Sequence, residues 1–223
     1  MTTYKIAVIG GTGPQGRGLA YRFATSGHTV VIGSRSDERA RDMAADIARR
    51  SGEHALVSGA DNTTAARSAD VVILAVPYQG HAELVASLAD QLAGKVLISC
   101  VNPLGFDKRG PYGLDIADGS AAEEAQRLAP EAKVAGAFHH LSAVNLWSGA
   151  EFLDHEDVLV CGDDEHAKTV AAALSCAVTG RDGIDAGALR AARHLEPLTA
   201  TLISINKRYK TRSGIHIVGL ERD

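Results

Sequence analysis

Residues 4–16 read YKIAVIGGTGPQG, an apolar run that passes straight into a glycine-rich turn. The run, residues 4–10, has the length and apolarity of a strand buried in a parallel sheet. Gly11, Gly13 and Gly16 then satisfy G-x-G-x-x-G, directly before a helix expected over 14–26 and closed by Gly27. In such a turn Gly11 permits the tight bend, Gly13 lets the backbone approach a pyrophosphate, and Gly16 lets helix and strand pack closely. The amino end of the helix adds free N–H groups and a partial positive charge for the phosphates. Strand, glycine turn and helix in that order predict a dinucleotide site, where the glycine pattern by itself would not.

Outward from this unit, short apolar runs alternate with helical segments. Strands are expected at 29–33, 55–58, 71–76 and 95–101. Ser36 caps a helix with Asp37 and Glu38 in its first turn, Arg49 and Arg50 in its last and Gly52 as its stop, charges that match the helix dipole. A third helix is expected over 80–92. This βαβαβ rhythm calls for an α/β fold with a doubly wound, mostly parallel Rossmann sheet. Residues 102–119 interrupt the rhythm with four glycines and two prolines, and a connection of that length is often functional. Beyond it a helix from Ser120, strands at 133–139 and 158–161, a helix from Asp163 or Asp164 and a short strand at 183–185 are expected. The last long helix should start near Ala188 and kink or restart at Pro197, and 213–220 read as a terminal strand. The expected division is a dinucleotide-binding domain over 1–140 and a smaller carboxyl-terminal α/β segment over 141–223.

The end of the second strand selects the dinucleotide. An NAD site usually places Asp or Glu there to hold the ribose hydroxyls. Here the tip reads Gly33-Ser34-Arg35-Ser36, with Arg39 one helical turn beyond Arg35. A hydroxyl and two guanidinium groups suit a 2′-phosphate, which an acid would repel. NADP is the expected cofactor. Gly10, Gly13 and Gly16 also fit the G-x-x-G-x-x-G of short-chain reductases. Those enzymes need Tyr and Lys four residues apart, and none of the five tyrosines has Lys at that spacing.

The totals are those of an ordinary globular chain: 223 residues, 45% hydrophobic, 22% charged, with a net charge of −4. The balance offers no footprint for nucleic acid, and no basic run for a membrane surface. Apolar runs are too short to span a bilayer. The first strand begins so near Met1 that a signal peptide is not expected. Cys100, Cys161 and Cys176 each sit in an apolar stretch without a C-x-x-C pair, which fits reduced, buried thiols and a cytoplasmic protein.

Several later segments are more specific than the glycine loop. They are VPYQGH at 76–81, NP at 102–103, AFHHLSA at 137–143, VCGDD at 160–164, DAG at 185–187 and the ending LTATLISINKRYKTRSGIHI. Together with the loop and its GSR tip they resemble the F420-dependent NADP reductases, over almost the whole chain. The resemblance implies NADP and coenzyme F420, a deazaflavin, as the two partners in hydride transfer. It places Thr12, Gly13, Pro14 and Gln15 at the phosphates and Ser34, Arg35 and Arg39 at the 2′-phosphate. It places Val76, Pro77 and His81 along the cofactor, and Val101, Asn102 and Ala143 beside the nicotinamide. His139, Ser142 and Arg193 would meet the deazaflavin, and the segment 141–223 would complete its pocket. A homodimer is implied as well. Some members carry proline where this chain has Ser142, and a single histidine where it has His139-His140.

The remaining polar residues have plainer readings. His139 and His140 are neighbours on or near a strand, so their side chains point to opposite faces. The histidines lack H-x-x-x-H or mixed Cys/His spacing, and no metal is expected. Asp163-Asp164-Glu165 reads as a capped helix start. Lys207, Arg208, Lys210 and Arg212 put four cations in six residues; they form either a solvated helix end or, for Lys207 and Lys210, a seat for the anionic coenzyme tail. Direct hydride transfer needs no catalytic acid or base, and none is assigned. The alternatives are another NADP-dependent reductase, acting on imines or ferric iron, and a non-catalytic NADP(H) sensor.

Overall fold

The computed structural model describes residues 2–52 and 54–220. β1 (Lys5–Ile9) leads into α1 (Pro14–Thr25), β2 (Thr29–Ser34) into α2 (Asp37–Ser51), and β3 (Val57–Asp61) into α3 (Asn62–Ser68). β4 (Val71–Leu74), α4 (His81–Leu92) and β5 (Val96–Ser99) follow. Next come the hairpin strands β6 (Leu104–Asp107) and β7 (Gly110–Gly113), α5 (Ala121–Leu128), β8 (Lys133–Gly136) and the single turn α6 (Ala143–Leu146). β9 (Leu159–Gly162), α7 (Glu165–Thr179) and β10 (Ile184–Asp185) precede α8 (Ala192–Tyr209), which is entered through a 3-10 turn at Leu189–Ala191.

Among the described residues eight strands form one sheet in the order β3-β2-β1-β4-β5-β8-β9-β10. Neighbours pair in parallel, except that β9 runs antiparallel to β8. The winding reverses between β1 and β4, and such a reversal opens a crevice at the carboxyl ends of the two strands. Along β1, Ile6 and Val8 enter one core and Ala7 and Ile9 the other. All four are fully buried, which is why the strand is apolar without alternation. α1, α2 and α7 cover one face through Leu19, Phe23, Ile47 and Leu174. α4, α5 and α8 cover the other through Val85, Leu88, Ala125 and Leu195.

Four expectations need correction. Residues 102–119 are not merely a connection, because they contain the antiparallel hairpin β6–β7. Its turn closes where Asp107 accepts the N–H groups of Arg109 and Gly110 at 2.7 and 3.1 Å. The third strand lies at Val57–Asp61, not at 55–58, and runs directly into the unforeseen α3, whose cap Asp61 accepts the Thr64 N–H at 3.0 Å. The last helix continues through Pro197; the change of pitch falls earlier, at the 3-10 turn. Residues 213–220 form no strand. Asn206 takes the Ser213 N–H, the Asp157 carboxylate takes the Ile217 N–H and the Ile215 carbonyl accepts the Asp157 N–H, so isolated bonds, mostly to side chains, stand in place of a ladder.

α6 is moored to the glycine-loop helix. A Cβ on Gly18 of α1 would run into Leu146. The buried Arg22 guanidinium donates to the carbonyls of Asn145, Leu146, Ala150 and Glu151 at 2.6–2.9 Å. The Trp147 ring lies against two guanidinium groups, Arg17 of α1 and Arg50 of α2, each 4.8 Å from its centroid.

Candidate cofactor-binding cleft

The loop after β1 is shaped by two glycines. Gly10 has φ +80° and lies against the Ala75 carbonyl, where a side chain would collide; a Cβ on Gly16 would strike the Gly10 carbonyl. Sequence reasoning gave the tight bend to Gly11, whereas the left-handed residue is Gly10. Gly13 caps α1 without a side-chain bond and Pro14 opens the helix. The N–H groups of Gln15 and Gly16 belong to the first turn, where no helical acceptor exists, so they suit an anion.

This loop forms one wall of a cleft of about 320 Å³ at the sheet's carboxyl edge. Thr12 and Gly13 line it, with Ser34, Arg35 and Arg39 at the β2–α2 corner and Val76 and Pro77 after β4. Among the described lining residues none is an acid. Arg35 and Arg39 are exposed, with no ion pair to another described residue, while Ser34 is buried and its Oγ accepts the Ser36 N–H at 3.3 Å. Ser36 in turn caps α2 by accepting the Arg39 N–H. Sequence reasoning missed Asn62, Gln79 and Leu84, which complete the wall. The first follows the Asp61 cap of α3, and that cap was the signal available.

A second set of residues gathers beside the amino end of α1. After β8 the chain turns sharply at Phe138, whose φ is +62°. The Phe138 carbonyl accepts from Gln15 Nε2 at 3.1 Å, so the Gln15 side chain turns toward this segment. The His139 carbonyl accepts from Asn102 Nδ2 at 2.7 Å and from Thr199 Oγ1 at 2.9 Å. Val101, just beyond β5, is buried and precedes Asn102. Ser142 caps α6 by accepting the Asn145 N–H, and Ala143 opens that helix against Gly18. The strand expected over 133–139 therefore stops at Gly136, because its next carbonyls face these side chains.

His81, His139 and His140 are each lowered by burial. His139 is 1% exposed, and neither ring nitrogen has a hydrogen-bond partner among the described residues. Burial, with the neighbouring His140, pushes it down to about 3. His140 is lowered by burial and lies 2.6 Å from the Asp157 carbonyl. His81 is fully buried, lowered chiefly by burial, and turned to Glu124 at 2.6 Å. It is not part of the cleft lining. The Cys100 and Cys161 thiols are pushed up to about 12 by burial. Among the described residues no group of His, Cys, Asp and Glu is placed to hold a metal.

The basic residues separate. Arg193 pairs with Glu123 at 2.7 Å. Lys207 and Lys210 are exposed at the far end of α8, without ion pairs among the described residues. At the helical rise Lys207 stands roughly 12 Å beyond Thr199. No helix among the described residues is long and apolar enough to cross a membrane.

Residues 5–103 match the family described as NADP oxidoreductase, coenzyme F420-dependent. The F420-dependent NADP reductase of Methanothermobacter thermautotrophicus is 43% identical over 222 residues, covering 97% of this chain and 95% of that one. The chain belongs to the F420-dependent NADP reductase family. The reductase of Methanocaldococcus jannaschii is 38% identical, covering 97% of this chain and 99% of its own length. A crystal structure from Arthrobacter sp. FB24, assigned as an F420-dependent NADP reductase, superposes with a TM-score of 0.77 at 33% identity, covering 94% of this chain and 96% of that one. The family's likeness thus runs through the cleft and through the 138–143 segment alike.

Proposed function

We propose that this reductase passes a hydride reversibly between NADP(H) and the deazaflavin coenzyme F420. The observation that carries the reading is the cleft corner at Ser34, Arg35 and Arg39, cationic and free of acids, in a chain whose glycine loop is tied to the 138–143 segment through Gln15. The 2′-phosphate would rest on Ser34, Arg35 and Arg39, and the pyrophosphate on Thr12, Gly13 and the amino end of α1. Val101, Asn102 and Ala143 would border the nicotinamide, with His139, Ser142 and Arg193 toward the deazaflavin. The two coenzymes supply the hydride chemistry when bound. The chain's own work is to hold two planar rings at transfer distance and to keep water out.

No side chain is assigned a proton-transfer step. A neutral, buried His139 supports this, because its ring is suited to packing and poorly suited to exchanging protons with water. We place the enzyme in the cytoplasm, in keeping with its free cysteines, and take it to be a homodimer. The segment 141–223 would complete the deazaflavin pocket, with Lys207 and Lys210 meeting the coenzyme's anionic tail. The deciding experiment follows NADPH oxidation spectrophotometrically with coenzyme F420, a flavin and a cyclic imine as rival acceptors. Turnover with the deazaflavin alone supports the reading, and turnover with the flavin or imine alone overturns it.

A further inference from the structure

The buried His81 has no opening to the cleft, yet it begins the helix that follows the cleft loop. Val76, Pro77, Gln79 and Gly80 of this loop line the cleft, and Gly80 takes a left-handed φ of +80°. A loop with a proline, a left-handed glycine and an amino-terminal cap lacking any side-chain bond needs an external anchor to hold one shape. That anchor is the Glu124 carboxylate of α5. One oxygen lies 2.6 Å from His81 Nδ1, and the other accepts from the Tyr78 hydroxyl at 3.2 Å. The two rings stack at 5.7 Å, so both donors converge on one acid from neighbouring turns. The ring is uncharged at neutral pH, and Nδ1 then carries the proton given to Glu124.

α5 is itself fixed on its other side. The Glu196 carboxylate of α8 accepts the N–H groups of Ala121 and Ala122 at 2.8 and 3.0 Å, and Glu123 holds Arg193. A charged acceptor serving two donors in a nearly buried setting is stronger than a neutral bond. We infer that Glu124 is the positioning residue of the cofactor cleft, shaping loop 76–80 for the NADP(H) nucleotide by holding Tyr78 and His81. His81 thus acts through Glu124 and not by touching the cofactor. The inference rests on the reading of the cleft as the NADP(H) site.

Calorimetric titration of the purified full-length protein with NADP+, together with steady-state rates, tests it. Glu124→Ala should weaken NADP+ about tenfold, raise KM for NADPH in proportion, and leave kcat within about twofold, as loss of uniform binding requires. Tyr78→Phe, which removes one of the two bonds, should weaken NADP+ about threefold. Glu124→Gln, which keeps one acceptor oxygen and turns an amide N–H toward the other donor, should weaken NADP+ at least as much as Tyr78→Phe and less than Glu124→Ala. If Glu124→Ala does not fold by circular dichroism, the Tyr78→Phe and Glu124→Gln pair carries the test unchanged. Wild-type affinity in Glu124→Ala or Tyr78→Phe, or a fall in kcat at unchanged affinity, would overturn the inference. A wild-type protein that fails to bind NADP+ would overturn instead the reading on which it rests.

Discussion

Asn102 and Thr199 donate to the same oxygen, the main-chain carbonyl of His139, at 2.7 and 2.9 Å. One donor comes from the segment that follows β5 and the other from α8, so two separate parts of the chain meet on one peptide group. A carbonyl has two lone pairs, and both are taken here. The left-handed Phe138 beside it is therefore held by its surroundings, as a non-glycine residue in that conformation must be.

Thr199→Val keeps the shape of the side chain and removes one of the two donors. We expect kcat/KM for coenzyme F420 to fall about tenfold, the equivalent of about 1.4 kcal/mol. The dissociation constant for NADP+ should stay within about twofold, because Thr199 does not line the nucleotide cleft. Steady-state rates and an NADP+ titration separate the two. Equal losses in both would reduce the clamp to general scaffolding.

Arg35→Ala should weaken NADP+ by about ten- to a hundredfold, the worth of a charge-assisted hydrogen bond. NAD+ affinity should hardly change, since that nucleotide carries no 2′-phosphate. Arg35 is exposed, so the ratio of the two affinities should shrink as salt rises. Titrations at low and high ionic strength measure it, and equal wild-type affinity for both nucleotides would end the argument from the strand tip.

Arg22→Met replaces a buried guanidinium by a shorter, unbranched apolar chain. Four carbonyls between Asn145 and Glu151 lose this donor; that of Leu146 is buried, the other three are partly so, and that of Asn145 keeps the Ser148 N–H. A buried acceptor left unmade costs about 1–3 kcal/mol, and a partly wetted one less. The urea midpoint should fall by an amount equal to about 3 kcal/mol, at the upper end of single-residue effects.

Acid should destabilise the enzyme before its carboxylates titrate. Burial holds His28, His81, His139 and His140 below the ordinary histidine value. Below about pH 6.5 the unfolded chain therefore binds more protons than the folded one, and stability falls as pH falls. Glu196 works in the opposite sense. Burial raises it to about 7, so its contribution is full below the unfolded carboxylate value and is lost as pH rises through about 7. Glu156, also raised by burial, works in the same sense as Glu196, and the four histidines outweigh the two carboxyls. Glu196→Gln should remove part of the opposing contribution and steepen the pH dependence of the urea midpoint between about pH 4.5 and 7. An unchanged slope would mean that Glu196 titrates as an ordinary carboxylate.

The parts legible in the sequence were those whose signals are local. The β1 run, the glycine turn and the cationic tip at Ser34 and Arg35 lie within one stretch each, and all reach the same cleft. What escaped depends on partners far along the chain. Residues 213–220 carry apolar alternation like a strand, but their backbone groups meet Asn206 and Asp157, which no local pattern announces. α3 is short and alanine-rich, with only the Asp61 cap to mark it. His81 sits in a recognisable motif, while its acceptor Glu124 belongs to another helix, so the motif could place the ring near the cofactor without giving its direction. Pro197 reads as a break, yet α8 continues through it.

The latch at Trp147 has an optical consequence. The chain contains a single tryptophan, and its indole sits between guanidinium groups of α1 and α2. Its emission therefore comes from one place, the seam where α6 meets the glycine-loop helix. The enzyme carries a built-in fluorophore at that seam, and a change there on adding nucleotide would alter intensity or wavelength without any label.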